Sequence, residues 1–523
     1  MKLHDRTKVG GAIASIVIGA MAAGCSATAT ESAARADVAP PIMRMTTAIP
    51  EEVRTPDRVE TRLGTLNFFD GMPDDATVEK VYENLDFMRG VDVFLNFIPA
   101  ASIEAMRRGM AQLDVTRAND VMVMDGLMDS KSLFLTGNTD TVYAGAFLDL
   151  QRDGPTVVEV PAGAGPGTVN DAYFRFVTDM GAPGPDRGRG GKYLILPPGY
   201  EGEVPEGYFV SESRSYVNFL ILRGFLVDGK PDAAARMWRS SLRIYPLSRV
   251  DDPPAMKFVN GTGREFNTIH ANNYVFFEEL HTVIDREPAD LVEPQLAGMA
   301  AAIGIQKGKP FAPDARMRAI LEEAVAVGNA TARAIWLKPR DRSAYLYEDS
   351  GWFTAFLGGD YRWFVENGEG ARNLDARTLF FYSATVNTPA MALEMIGAGS
   401  QYAFNATDSD GAYLDGSRTY RLRVPADVPA KDFWSVVAYD PQTRSELQTD
   451  QRFPSVNNRK TPLTYNDDGS VDLYFGPEAP VGMVNNWVQT VPGKGWFVLL
   501  RLYGPLEPWF EKTWQPGEFE RLD

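Results

Sequence analysis

The sequence predicts an α+β multidomain protein: a β-rich N-terminal domain, a helical middle segment, and a C-terminal antiparallel β-sandwich of jelly-roll-like type. Three observations carry that expectation. A chain of 523 residues is too long for one core. Between Asp120 and Leu226, short runs such as "PTVVEVP", "AYFRFVTDM" and "KYLILPP" are separated by Gly and Pro clusters, the grammar of hairpins. From Tyr402 onward, "RTYRLRVP", "DFWSVVAYD", "SVDLYFGP", "NWVQTVP" and "WFVLLRLYGP" follow one another with turns such as "YNDDGS" between them, as in a sandwich.

The N-terminus comes first in chain order. "MKLHDRTKVGGAIASIVIGAMAAGC" places Lys2, Arg6 and Lys8 before an apolar run from Val9 to Gly24. That run is short for a bilayer span and ends in small residues, the pattern of an export signal. Cys25 is the one cysteine of the chain and follows Ala22-Ala23-Gly24, which resembles the bacterial lipoprotein lipobox. The resemblance implies acylation of Cys25 and a lipid anchor in the cell envelope, although the usual Leu at the lipobox start is missing. Acylation consumes the thiol, so no disulfide or thiolate chemistry is expected. The expected organisation is a signal peptide over 1–24, a small, polar tether over 25–60, the β-rich domain over 61–228, the helical segment over 229–395 and the C-terminal domain over 396–523.

Within this frame, "VEKVYENLDFMRGVDVFLNFIPAASIEAMRRGMAQL" has helical spacing through Val81, Leu85, Met88 and Val91. "PDAAARMWRSSLRIY", "FNTIHANNYVFFEELHTVIDR", "EPQLAGMAAAIGI" and "DARMRAILEEAVAVGNATARAIWL" read as four further helices, and "RTLFFYSATVNTPAMALEMIG" as a buried one.

Composition narrows the chemistry. A net charge of −17 without a basic patch makes nucleic acid an unfavourable partner. His270 and His281, read onto one helix, stand about 16 Å apart and cannot share a metal. "H-E-x-x-H", G-x-S-x-G and the P-loop pattern are absent. In "DSDGAYLDG" and "YNDDGS" the first slots of a calcium loop hold Ala406 and Thr464, so Asp-Gly turns explain both better. No metal and no organic cofactor are expected.

What remains is Asp, Tyr, Arg and Lys. In "GNTDTVYAGAFLD", Asn138 and Asp140 are poor strand formers at the entry to an apolar strand. They either cap a turn through Asx hydrogen bonds or project into a pocket beside Tyr143. "VNDAYFRFVTDMG" repeats the grammar with Asn170, Asp171 and Arg175. If these two strands pair, Asp140, Tyr143, Asp171 and Arg175 form a catalytic group near one end of the sheet, with Asn138 and Asn170 binding substrate. Asp171 and Arg175 are equally well read as a structural ion pair. The Gly-rich loop "GAPGPDRGRGGKY" offers Arg187, Arg189 and Lys192 to an anion, or is a solvated hairpin tip.

Two long stretches carry a family resemblance. "GNTDTVYAGAFLDLQRDGPTVVEVP", "NDAYFRFVTDMG" and "GGKYLILPPGY" resemble the first of a tandem pair of bacterial domains of unknown function, numbered twelve fifty-four. "DGAYLDGSRTYRLRVP", "DFWSVVAYDPQTRS" and "NNWVQTVPGKGWFVLLRLYGPLEPW" resemble the second, numbered twelve fourteen. The resemblance implies exported proteins with a β-rich first domain and a jelly-roll-like second, and no catalytic assignment. The reading is therefore an exported lipoprotein acting as a hydrolase or lyase on a small extracytoplasmic organic substrate. The alternative is a non-catalytic envelope binding or scaffold protein. The membrane, through the anchor, and a small molecule are the expected partners, and self-association is compatible with both readings.

Overall fold

The structure, a computed structural model, describes residues 41–365, 370–459 and 461–522. Cys25 and the signal lie outside the described residues. The chain is α+β and divides after Asp74 into two compact units. The first, from residue 41, contains a three-stranded antiparallel sheet of Arg58–Thr61, Gly64–Phe69 and Met72–Pro73. Everything below concerns the second unit.

Its centre is a six-stranded sheet in the order Lys257–Asn260, Asp120–Val123, Val142–Asp149, Val217–Gly224, Gly167–Asp171 and Phe176–Met180. Val142–Asp149 and Val217–Gly224 are apolar nearly throughout, as strands buried on both faces must be. Alternation then sorts their side chains into two cores. Ala144, Ala146, Leu148, Leu220 and Leu222 pack toward a four-stranded sheet built from Phe209–Glu212, Gly191–Leu196, Thr156–Val160 and Arg243–Pro246. Tyr143, Phe147, Phe219 and Ile221 join the other core, with the helices Asp75–Ala111, Val275–Arg286 and Ala315–Leu337.

The C-terminal region holds two four-stranded sheets. One runs Ser400–Asn405, Phe497–Pro505, Ala430–Tyr439 and Ser455–Asn457; the other runs Trp487–Gln489, Val471–Gly476, Tyr420–Val424 and Phe519–Arg521. They share a core of Val436, Leu500, Leu422, Leu473, Trp496 and Phe519. The opposite face of the first sheet, with Tyr402, Phe404, Tyr439, Phe497 and Leu499, enters the same core as Tyr143. Two β-layers thus meet face to face, each also packed on another partner.

Three expected helices are shorter than their apolar patterns. The stretch from Phe266 first makes a parallel bridge to Ser132–Leu133, and its helix begins at Val275, where Asn273 Oδ1 accepts from the Val275 amide. His270 therefore precedes the helix that carries His281. It is buried, 3.3 Å from Arg444 Nη2, and burial together with that guanidinium holds its pKa down to about 3. Asp232–Ser241 stops before Arg243–Pro246, whose Ile244 and Tyr245 suit the strand they form. In "RTLFFYSATVNTPAMALEMIG", helices Leu374–Phe381 and Pro389–Ala392 are separated by a stretch with the β-branched Thr385 and Val386, and Pro389, which cannot continue a helix, opens the second. Among the described residues no helix is long and apolar enough to cross a membrane.

The helices Asp75–Ala111 and Ala315–Leu337 approach through two glycines. A Cβ on Gly90 would stand 2.6 Å from Ala324 Cβ, and one on Gly328 would stand 2.8 Å from the Phe94 ring. Gly90→Val should therefore push the helices apart and destabilise the fold by about 1–3 kcal/mol, the usual cost of overpacking. The denaturant midpoint measures it, and an unshifted midpoint would show that the two helices separate freely.

Candidate functional site

The facing sheets enclose polar side chains whose positions follow from strand alternation. On the N-terminal side Tyr143 and Arg223 are cross-strand partners, with the Arg223 guanidinium 5.6 Å from the Tyr143 ring centre. On the C-terminal side, pairing lines up Tyr402, Arg501, Ser435 and Asn457 in one row across the sheet. Tyr503 lies two residues further along the Arg501 strand, on the same face. All of these side chains are buried.

Buried guanidinium groups need acceptors. Arg501 Nη2 donates to the Thr136 carbonyl at 2.6 Å, the Gly137 carbonyl at 3.1 Å and the Tyr439 hydroxyl at 2.6 Å. These bonds fasten the loop before Val142–Asp149 to the C-terminal sheet. Asn138 shapes the next turn: its Oδ1 accepts from the amides of Asp140 and Thr141, both at 2.9 Å, and its Nδ2 donates to the Tyr143 hydroxyl at 2.5 Å. Asp140 then faces the C-terminal row, accepting from Ser435 Oγ at 2.6 Å and Asn457 Nδ2 at 2.9 Å, with the Tyr503 hydroxyl at 3.5 Å.

Electrostatics follows from this crowding. Burial alone would raise the Tyr402 hydroxyl, but Arg223 and Arg501 outweigh it and hold its pKa below the ordinary tyrosine value. Burial pulls Arg223 down, yet Tyr143, Tyr402 and Tyr503 more than offset it, and its pKa stays above the ordinary arginine value. Tyr503 is raised by burial and by the neighbouring Asp140. The Tyr402 hydroxyl and Arg501 Nε have no well-aligned hydrogen-bond partner among the described residues. Both side chains line an internal chamber of about 30 Å3.

Arg223, Val386 and Met391 wall both that chamber and a neighbouring pocket of about 240 Å3. The pocket is mainly apolar, and Asp179, Arg223, Lys431, Asp432 and Tyr503 supply its charged and phenolic groups. Asp179 accepts from Thr388 Oγ1 at 2.6 and 2.8 Å. Burial nevertheless raises its pKa to about 6, against the lowering by Thr388 and Thr168. A carboxyl that titrates near neutrality, in a pocket that also holds a guanidinium, is equipped for proton transfer.

The residues singled out in the sequence are distributed differently. Asn138, Asp140 and Tyr143 stand together behind this pocket, the first as a turn cap. Asp171 and Arg175 do not join them. The strand of Tyr143 and the strand of Asp171 are both partners of Val217–Gly224, where Tyr143 is opposite Arg223 and Asp171 is opposite Asn218. Five residues of strand, about 17 Å, separate the two places. Asp171 accepts from Arg175 Nε at 2.6 Å and from two backbone amides, so it organises its own turn. Asn170 clamps Asn387, accepting from its amide at 3.0 Å and donating to its carbonyl at 2.6 Å. In the Gly-rich loop, Arg187, Arg189 and Lys192 are exposed, Lys192 pairs with Glu159 at 3.1 Å, and buried Asp186 ties the loop through Tyr193 and the Gly190 amide. Asp408 and Asp468 hold tight turns through backbone amides, and among the described residues no group of three acidic, His or Cys side chains is placed to hold a metal ion.

Sequence reasoning missed Asp179, Arg223, Tyr402, Arg501 and Tyr503. A signal existed: "VNFLILRG" and "FVLLRLYGP" each set one Arg into a strand apolar on both faces, and such a charge must meet a built environment.

Comparison with known proteins places this site at the junction of two matched regions. Residues 118–246 match a family described as a protein of unknown function, DUF1254, and residues 399–507 match a second of the same description, DUF1214. Asp140, Tyr143, Asp179 and Arg223 come from the first region; Tyr402, Ser435, Asn457, Arg501 and Tyr503 come from the second. No curated protein matches the sequence. The fold is similar to the crystal structure of the VPA0106 protein from Vibrio parahaemolyticus, which is 19% identical, with a TM-score of 0.51 over 84% of this chain and 100% of that one. A crystal structure of an uncharacterised protein from Burkholderia cenocepacia is 12% identical, with a TM-score of 0.35 over 85% of this chain and 96% of that one.

Asp140 connects the two regions, so its loss should be felt in stability. Asp140→Ala removes the acceptor of two buried donors, Ser435 and Asn457, and should cost about 2–6 kcal/mol, because each unsatisfied group costs about 1–3 kcal/mol. Chemical denaturation measures this. A loss below about 1 kcal/mol would show that the junction does not depend on the carboxylate.

Proposed function

We propose that the protein is an exported lipoprotein enzyme, a hydrolase or lyase acting on a small extracytoplasmic organic substrate in the pocket of Asp179 and Arg223. The observation that supports it most is the presence of both groups in the lining of one largely apolar pocket: a carboxyl whose pKa burial lifts to about 6, and a guanidinium that stays charged. In this reading Asp179 takes a proton from water or from substrate, and Arg223 stabilises the oxyanion that develops. Tyr503, whose hydroxyl points its proton toward Asp140 at 3.5 Å, offers an acceptor oxygen at the same wall. Tyr402 and Arg501 act through Arg223 as positioning residues. Thr388 fixes the Asp179 carboxyl, so the base is oriented before substrate arrives. No organic cofactor has a part in this scheme. The two C-terminal sheets with their shared core are read as a jelly-roll-like sandwich that supplies one wall of the pocket.

Because the base must be ionised to work, the rate should be low below pH 6 and rise to a plateau above it. A panel of small chromogenic esters, lactones and glycosides, assayed across pH, tests the reading. Asp179→Asn keeps the acceptor for Thr388, so it should leave melting unchanged and reduce turnover about a hundredfold or more. Turnover that persists in Asp179→Asn, or a panel left wholly untouched by the native protein, would overturn it.

Membrane attachment is tested separately. Cys25→Ser should move the protein from the membrane fraction to the soluble fraction in a bacterial host. Unchanged fractionation would remove the lipid anchor from the proposal.

A further inference from the structure

A second cavity, of about 310 Å3, lies on the other side of the segment 386–388, and its wall is rich in arginine. Val386 and Thr388 line the pocket of Asp179, whereas Asn387, clamped by Asn170, lines this one. Arg175, Arg214, Arg362, Arg372 and Arg377 all border it. Two of them are neutralised, Arg175 by Asp171 and Arg362 by Asp360 at 3.2 Å. The other three form no ion pair among the described residues. Arg214 donates to the Asp290 carbonyl, Arg372 to the Arg362 carbonyl, and Arg377 to Asn96 and the Tyr173 hydroxyl. Glu293 is the one carboxylate in the described lining.

That balance is unusual in a chain of net charge −17. Arg377 is 6% exposed, and its partners are neutral groups. Nη2 of Arg175 is buried and has no hydrogen-bond partner among the described residues. Arg372 is exposed at the cavity rim, and partial desolvation there, then the charge of Arg377, hold its pKa below its ordinary value. Like charges gathered at a concave, partly dry surface repel one another until an anion arrives.

The rest of the wall says what kind of anion. Phe176 and Tyr361 meet edge to face, with ring centres 5.6 Å apart. Arg372 lies over the Phe364 ring at 4.6 Å, so its guanidinium stands against an aromatic surface. A planar carboxylate accepts two parallel bonds from a guanidinium fork, and a ring joined to it would continue along the aromatic wall. The volume is that of a small-ligand site.

We propose that this cavity binds a small aromatic carboxylate, with the carboxylate between Arg372 and Arg377 and the ring against Phe176, Tyr361 and Phe364. The proposal does not rest on the enzyme reading, because it concerns binding in a different cavity.

Calorimetric titration of the full-length protein with benzoate and 1-naphthoate tests it, with benzamide and inorganic phosphate as comparisons. Saturable binding of the carboxylates is expected, with at least tenfold weaker binding of benzamide. Arg372→Gln and Arg377→Gln should each weaken benzoate by about tenfold to a hundredfold, the loss of a charge-assisted hydrogen bond. If buried Arg377→Gln fails to fold, Arg372→Gln, at an exposed position, decides the matter alone. Asp179→Asn should leave benzoate affinity unchanged. The proposal is overturned by absence of saturable binding, by benzamide or phosphate binding as tightly as benzoate, by unchanged affinity in Arg372→Gln, or by loss of binding in Asp179→Asn.

Discussion

Burial of Arg501 between two sheets is the constraint on which the junction depends. A guanidinium removed from water must find acceptors, and breaking such a set costs several kcal/mol. The acceptors here are the carbonyls of Thr136 and Gly137 and the hydroxyl of Tyr439. Meeting that demand holds the loop in a conformation it would not choose alone, with Thr136 at a φ of 37°. Once the loop is placed, Asn138 can close its turn and Asp140 can reach Ser435 and Asn457. The sheets do not merely touch; each completes the hydrogen bonding of the other.

Much of this architecture was legible in the sequence. The long first helix, the helix Ala315–Leu337, and the strands around Val436 and Leu500 follow from apolar spacing. The helix starting at Val275 was overextended because "FNTIH" carries an apolar pattern that a β-bridge also satisfies. The site was legible only in part. Asn138, Asp140 and Tyr143 announced themselves because polar residues interrupt an apolar run. Arg223 and Arg501 stood out only as charges within apolar strands, and Tyr402 and Tyr503 not at all, since their roles depend on which strand faces which, and register between distant strands is written in no local pattern. The pairing of the Asp140 and Asp171 strands failed as an inference for the same reason: Val217–Gly224 lies between them.

The segment 386–388 illustrates how one short strand-like stretch can serve two cavities. Alternating side chains put Val386 and Thr388 on one side and Asn387 on the other. Asn170 grips the backbone of Asn387 from the six-stranded sheet, so the partition is anchored to the most buried layer of the fold.

The bond between Arg501 and Thr136 spans 365 positions of sequence. During synthesis, the loop that carries Asn138 and Asp140 has left the ribosome long before Arg501 is made. It must wait, with its carbonyls in water and its neighbouring strands lacking their partner face, until nearly the whole chain exists. Contacts of such separation form late and slowly. The junction between the two sheets is therefore completed only after nearly all of the chain has been made, however early its separate strands form.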